Sequence, residues 1–166
     1  MNNIKDLTEN PRSRMPIGLN VIVLLMVVLL IPLCRVKHEP EKVWNLRGKI
    51  VDLAKSLKGI PYKYGGSDLE GFDCSGFVYY VYDSFGIKLP RTAKKQAKLK
   101  KKVRLKRAKP ADILVFKLKR QWHTAIYTGG KSFIHAPNSK GFIRKESLNA
   151  FWKPRLKSII HIIDDR

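Results

Sequence analysis

The sequence predicts an α+β domain in which N-terminal helices pack on a mostly antiparallel sheet. Three observations predict it. Residues 50–85 carry two helical apolar patterns. Residues 113–163 carry short apolar runs separated by hairpin-length turns. Helices come first and strands after, not in the alternating order that builds a parallel sheet.

The chain begins differently. Residues 1–16 form a polar tail of mixed charge, and residues 17–33 are apolar apart from Gly18, Asn20 and Pro32. That length sits at the short edge of a membrane-spanning helix and exceeds most signal-peptide cores, so residues 17–34 read as an N-terminal hydrophobic helix, an anchor or a signal segment. The flanking basic residues alone place the following domain in the cytoplasm, but whole domains translocate largely regardless of such charge. The reading adopted is a domain outside the cytoplasm, anchored in the inner membrane or exported after cleavage. Cys34 closes the apolar stretch, but Ile31-Pro32-Leu33 before it lack the small residues of a lipidation signal. Residues 35–47, with Pro40, read as a linker, and 48–166 as the domain.

Within the domain, Ile50, Val51, Leu53, Ala54 and Leu57 give a helical stripe that Gly59 closes. A turn-rich loop, Ile60 to Gly66, follows. The run Gly71-Phe72-Asp73-Cys74-Ser75-Gly76 then delivers a thiol to the first turn of a second helix, expected to run to Phe85. A helix N-terminus offers free N–H groups and partial positive charge, which favours the thiolate and makes Cys74 a candidate nucleophile. Leu89 to Thr92 turns into a short helix near Gln96.

Between Lys94 and Lys109 there are ten basic residues in sixteen positions and no acid. The whole chain has 34 basic and 13 acidic residues, a net charge of +21. Such a surface suits an anionic polymer. The run has no interleaved aromatics and the chain no zinc-finger or RNA-binding signature, so nucleic acid is not the expected partner.

Ile113 to Phe116 reads as a buried strand. Gln121 to Thr128 and Ser132 to Pro137 read as a hairpin carrying His123 and His135, two of the four histidines. Side chains alternate along a strand, so a two-residue turn would set the two rings on opposite faces. A catalytic pair needs an odd-length turn or a bulge. Phe142-Ile143 and Ser158 to Ile163 are the last candidate strands. A metal site built on Cys74, His123 and His135 lacks a fourth ligand in the sequence, and no metal or other cofactor is expected.

In this order the domain resembles the NlpC-type bacterial cell-wall cysteine peptidases, a papain-like fold. The resemblance rests on Gly59 to Gly66, Gly71 to Gly76, Leu89 to Thr92 with Gln96, Pro110 to Ile113, His123 to Tyr127 and Phe133 to Ala136. It implies Cys74 as nucleophile, His123 as base and His135 as the group that orients His123. It implies Tyr62, Asp73 and Ser75 as substrate-binding residues, Asp73 having a helix-capping reading as well. The implied substrate is a peptidoglycan stem peptide, cut between D-glutamate and the diamino acid. The alternatives are an amidase or acyltransferase on the same scaffold, and a non-catalytic, membrane-tethered binder of anionic envelope polymer.

Overall fold

A computed structural model describes residues 40–137 and 141–164. The segments 1–16 and 17–34 lie outside the described residues. Among the described residues no helix is long and apolar enough to cross a membrane. Helix α1, Pro40–Ser56, begins inside the stretch expected as linker, so the chain is already helical through residues 40–47. Its inner face is Arg47, Ile50, Val51 and Ala54, the i, i+3, i+4, i+7 spacing of a helix laid on a core. Arg47 is the unexpected member, a fully buried cation on an apolar stripe. It donates to Pro110 O (2.7 Å), Asp112 Oδ1 (3.1 Å) and Ile163 O (2.7 Å). Pairing of this quality is what allows a charge to be buried.

A two-stranded hairpin follows, β1 (Ser67–Asp68) with β2 (Gly71–Phe72). Helix α2 is Cys74–Asp83, two residues shorter than expected, and α3 is Ala93–Gln96. The main sheet contains β3 (Lys102–Val103), β4 (Ile113–Leu118), β5 (Gln121–Gly129), β6 (Ser132–His135), β7 (Arg144–Ser147) and β8 (Leu156–Ile160). Its order is β3-β8-β4-β5-β6-β7, with every neighbouring pair antiparallel. The fold is the expected α+β one.

Side-chain alternation divides the sheet into two apolar faces. Ile113, Val115, Ile126, Ile134 and Ile160 join α1 and α2 in the main core. Leu114, Phe116, Ala125, Tyr127, Phe133 and Ile159 point the other way, around Trp152. Two strand expectations are corrected. Residues Phe142 and Ile143 precede the edge strand β7 and do not join its ladder, because Ile143 bonds back to the loop after α1: Gly59 N–H donates to Ile143 O (2.9 Å) and Ile143 N–H to Ile60 O (2.8 Å). The final strand starts at Leu156 and stops at Ile160, and His161 Nδ1 then lies 3.0 Å from Asp112 Oδ1.

Candidate active site

The hairpin meets the geometric demand that the sequence set. Tyr127 pairs Phe133 and Ile126 pairs Ile134, whereas Gly129 pairs Ser132, so one residue is bulged out between Tyr127 and Gly129. Gly129 and Gly130 both take left-handed φ (88° and 56°), which Gly adopts without a Cβ clash. The bulge shifts the register by one, and His123 and His135 stand on the same face. His123 Nε2 lies 2.8 Å from His135 Nδ1, with the rings nearly perpendicular at 86°.

The line of polar atoms continues beyond the two histidines. His135 Nε2 is 3.2 Å from Glu146 Oε1, close but not aligned as a full hydrogen bond. Glu146 is opposite Phe133 in the β6–β7 register, one step from His135 on the same face. Its carboxylate also accepts from Arg144 Nε (2.6 Å) and from the Trp152 indole N–H. Trp152 stacks on His123, centroids 5.7 Å apart and planes 27° from parallel. The sequence reading missed Glu146. A signal was there: it is the sole acid between Asp112 and Asp164.

Cys74 is half-buried at the first position of α2. Cys74 and His123 line one hollow of about 750 Å³ together with Tyr62, Asp73 and Ser75, so the predicted site residues on α2, its preceding loops and β5 meet there. His135 stands behind His123, outside that hollow. The expected thiolate is corrected. Burial pushes the Cys74 thiol up, the Asp73 carboxylate adds to this, and the N–H groups of Thr124, Ser75 and Cys74 oppose it without winning. Burial, and then the neighbouring His135, pull His123 down to about 3. Burial pulls His135 down to about 4 against the raising effect of Glu146. The resting pair at neutral pH is therefore thiol and neutral imidazole.

Asp73 caps α2: its Oδ1 accepts from Gly76 N–H (2.6 Å) and from Ser75 Oγ (2.9 Å). Arg91 grips both carboxylate oxygens (3.0 and 2.9 Å) and also donates to Gly65 O and Gly66 O (2.7 and 2.8 Å). Burial raises the Asp73 pKa, but Arg91, Gly76 and Ser75 outweigh it and hold the carboxyl below its usual range. Gln96, fully buried, donates to Ser75 O (3.1 Å) and Pro90 O (2.9 Å), which ties α3 to the start of α2. Tyr62 is on the rim, its phenol raised by burial and then by Cys74 and Asp73. Among the described residues no group of three or more His, Cys, Asp or Glu could hold a metal.

Residues 59–161 match the NlpC/P60 family. The chain belongs to that family. It is 34% identical over 140 residues to the probable endopeptidase NlpC of Escherichia coli K12, covering 78% of this chain and 91% of the relative. It is 34% identical over 113 residues to the murein DD-endopeptidase MepS/murein LD-carboxypeptidase of the same organism, covering 67% of this chain and 60% of that protein. Among solved structures, the NlpC/p60 domain of the peptidoglycan hydrolase SagA superposes with a TM-score of 0.62 at 32% identity, over 69% of this chain and 97% of that one. The family match spans the fold and the order of motifs that the sequence already displayed.

Proposed function

We propose that this protein is a peptidoglycan endopeptidase that cuts an amide bond of a stem peptide by nucleophilic catalysis. The observation that carries the reading is the line of polar side chains His123–His135–Glu146 beside a helix-start cysteine. A Glu146 carboxylate holds the proton of His135 on Nε2. His135 Nδ1 then accepts, which holds the proton of His123 on its own Nε2. The His123 nitrogen left to act as base is Nδ1. It takes the thiol proton as Cys74 sulfur attacks the carbonyl carbon, then passes that proton to the departing amine. Water afterwards hydrolyses the thioester by the same base. Backbone N–H groups at the start of α2 serve the oxyanion, with the Tyr62 phenol beside them. The retained half of the substrate lies along Tyr62, Asp73 and Ser75. Because Arg91 already grips Asp73, that carboxylate orders the pocket before it meets any substrate ammonium.

The bond proposed is D-glutamyl–diamino acid, in the cell envelope, with residues 17–33 holding the protein at the membrane. The basic stretch between Lys94 and Lys109 would rest on anionic envelope polymer. Purified protein is expected to release stem-peptide fragments from peptidoglycan, and Cys74→Ala to release none. Mass spectrometry of the fragments identifies the bond. Fragments opened only at a D,D bond, the specificity named in the MepS relative, would move the assignment there. No fragments at all would leave the non-catalytic binder.

A further inference from the structure

His123 borders two hollows. One contains Cys74. The other, of about 860 Å³, is walled by His123, His135 and Trp152 and rimmed by Lys119, Arg120, Arg144 and Arg155. Leu118, Gln121 and His123 line both, so the two spaces meet at the β4–β5 turn. We propose that this second hollow is the subsite for the departing half of the substrate, and that it selects a peptide ending in a free carboxylate.

The placement follows from the chemistry and rests on the hydrolase reading above. The ring that protonates the leaving amine must lie alongside the leaving half. A peptide cut in its interior releases a half with the new amine at one end and the chain's C-terminal carboxylate at the other. That half, leaving past His123, enters the cation-rimmed hollow. Four cations there face one carboxylate, Glu146, which is already committed to Arg144, Trp152 and His135. Arg155 is held over the Phe151 ring and donates to Phe151 O. Lys119 and Arg120 are exposed, and among the described residues their side chains make no hydrogen bond or ion pair.

The turn that presents them is unusual. Leu118 pairs Gln121, leaving Lys119 and Arg120 as a two-residue turn, and Lys119 takes a left-handed φ of 49°. Gly or Asn is the residue such a turn selects.

The test uses the purified full chain and two synthetic stem peptides that differ only in a C-terminal carboxylate or carboxamide. The unaltered protein is expected to have the higher kcat/KM on the acid, and added salt to narrow the difference. Arg120→Ala and Lys119→Gly are each expected to reduce the acid-to-amide ratio about fivefold, mainly through KM, as loss of one solvent-accessible charge pair allows. Lys119→Gly relieves the left-handed φ, so its Tm is expected at or above that of the parent, which separates lost charge from lost fold. A ratio of one in the parent, or a ratio unchanged in both variants, overturns the subsite. Cleavage of neither peptide by the parent overturns the hydrolase reading itself.

Discussion

Glu146 defines what a single residue contributes here. Burial raises its pKa, but Arg144, Trp152 and His135 outweigh that and hold it ionised. An ionised acceptor at that place fixes one tautomer through two rings. In the proposed mechanism it also supplies the negative charge that steadies the imidazolium formed as the thiol is deprotonated. Glu146→Gln retains the shape and removes the charge. Its kcat is expected to fall about tenfold, a partial loss of general-base catalysis, with KM within about twofold. Steady-state kinetics on a defined stem peptide give both numbers, and the Tm gives the control. A purely structural Glu146 would lower the Tm and leave the kcat of the folded fraction unchanged.

At the scale of elements, the site depends on how closely a loop approaches a helix. A Cβ built at Gly76 would lie 2.0 Å from Gly66 O and 2.9 Å from Arg91 Nη2, so α2 could not sit under the loop that Arg91 braces. Gly76→Ala is expected to destabilise by about 2 kcal/mol through overpacking and to displace the sulfur, with the loss of activity exceeding the loss of folded protein. Thermal unfolding and active-site thiol labelling measure the two separately. This contact also marks what was legible in the sequence. The Gly-rich loop, the helix-start thiol and the histidine hairpin were readable because each is local: a breaker, a cap and a two-residue period. The demand for an odd-length turn or a bulge was readable too, since alternation with a two-residue turn sets His123 and His135 on opposite faces; the structure uses the bulge. Glu146, the Arg47 network and the β1–β2 hairpin were not. Glu146 reaches His135 across a strand pairing, so its isolation as an acid in a basic stretch does not reveal its partner, and Arg47 meets partners more than sixty residues away and leaves no mark in its own neighbourhood. Two-residue strands such as β1 and β3 show no periodicity to find.

For the molecule as a whole, the two buried imidazole rings are a determinant of stability, and the direction can be worked out. His123 and His135 are 5% and 1% exposed, and their pKa values fall from an ordinary 6.5 to about 3 and about 4. The unfolded chain binds protons on both rings below about pH 6.5, whereas the folded chain refuses them until far lower. Stability therefore rises with pH between about 3 and 6.5, most steeply above about 4 where both rings contribute, and reaches its full value above that window. Each ring forfeits about 2 kcal/mol by pH 5, at 1.36 kcal/mol per pH unit. Against a total stability on the order of 5–15 kcal/mol, that loss is large. Asp73 and Glu146, whose pKa values are depressed, add to it only in the lower window where carboxylates titrate. A second acid-labile contribution needs to be separated. The chain carries a net charge of +21, and self-repulsion grows as acids are neutralised. Salt screens that repulsion between exposed charges but leaves the cost of charging a buried ring nearly intact. Unfolding by urea at pH 7.5 and pH 5, each at low and high salt, resolves the two. The expected result is a stability loss at pH 5 that persists in high salt and shrinks by about half in His135→Gln, provided each variant is compared with itself across pH. A loss that high salt abolishes would mean that the rings already bind protons in the folded state, and the neutral thiol–imidazole resting pair would fall with it.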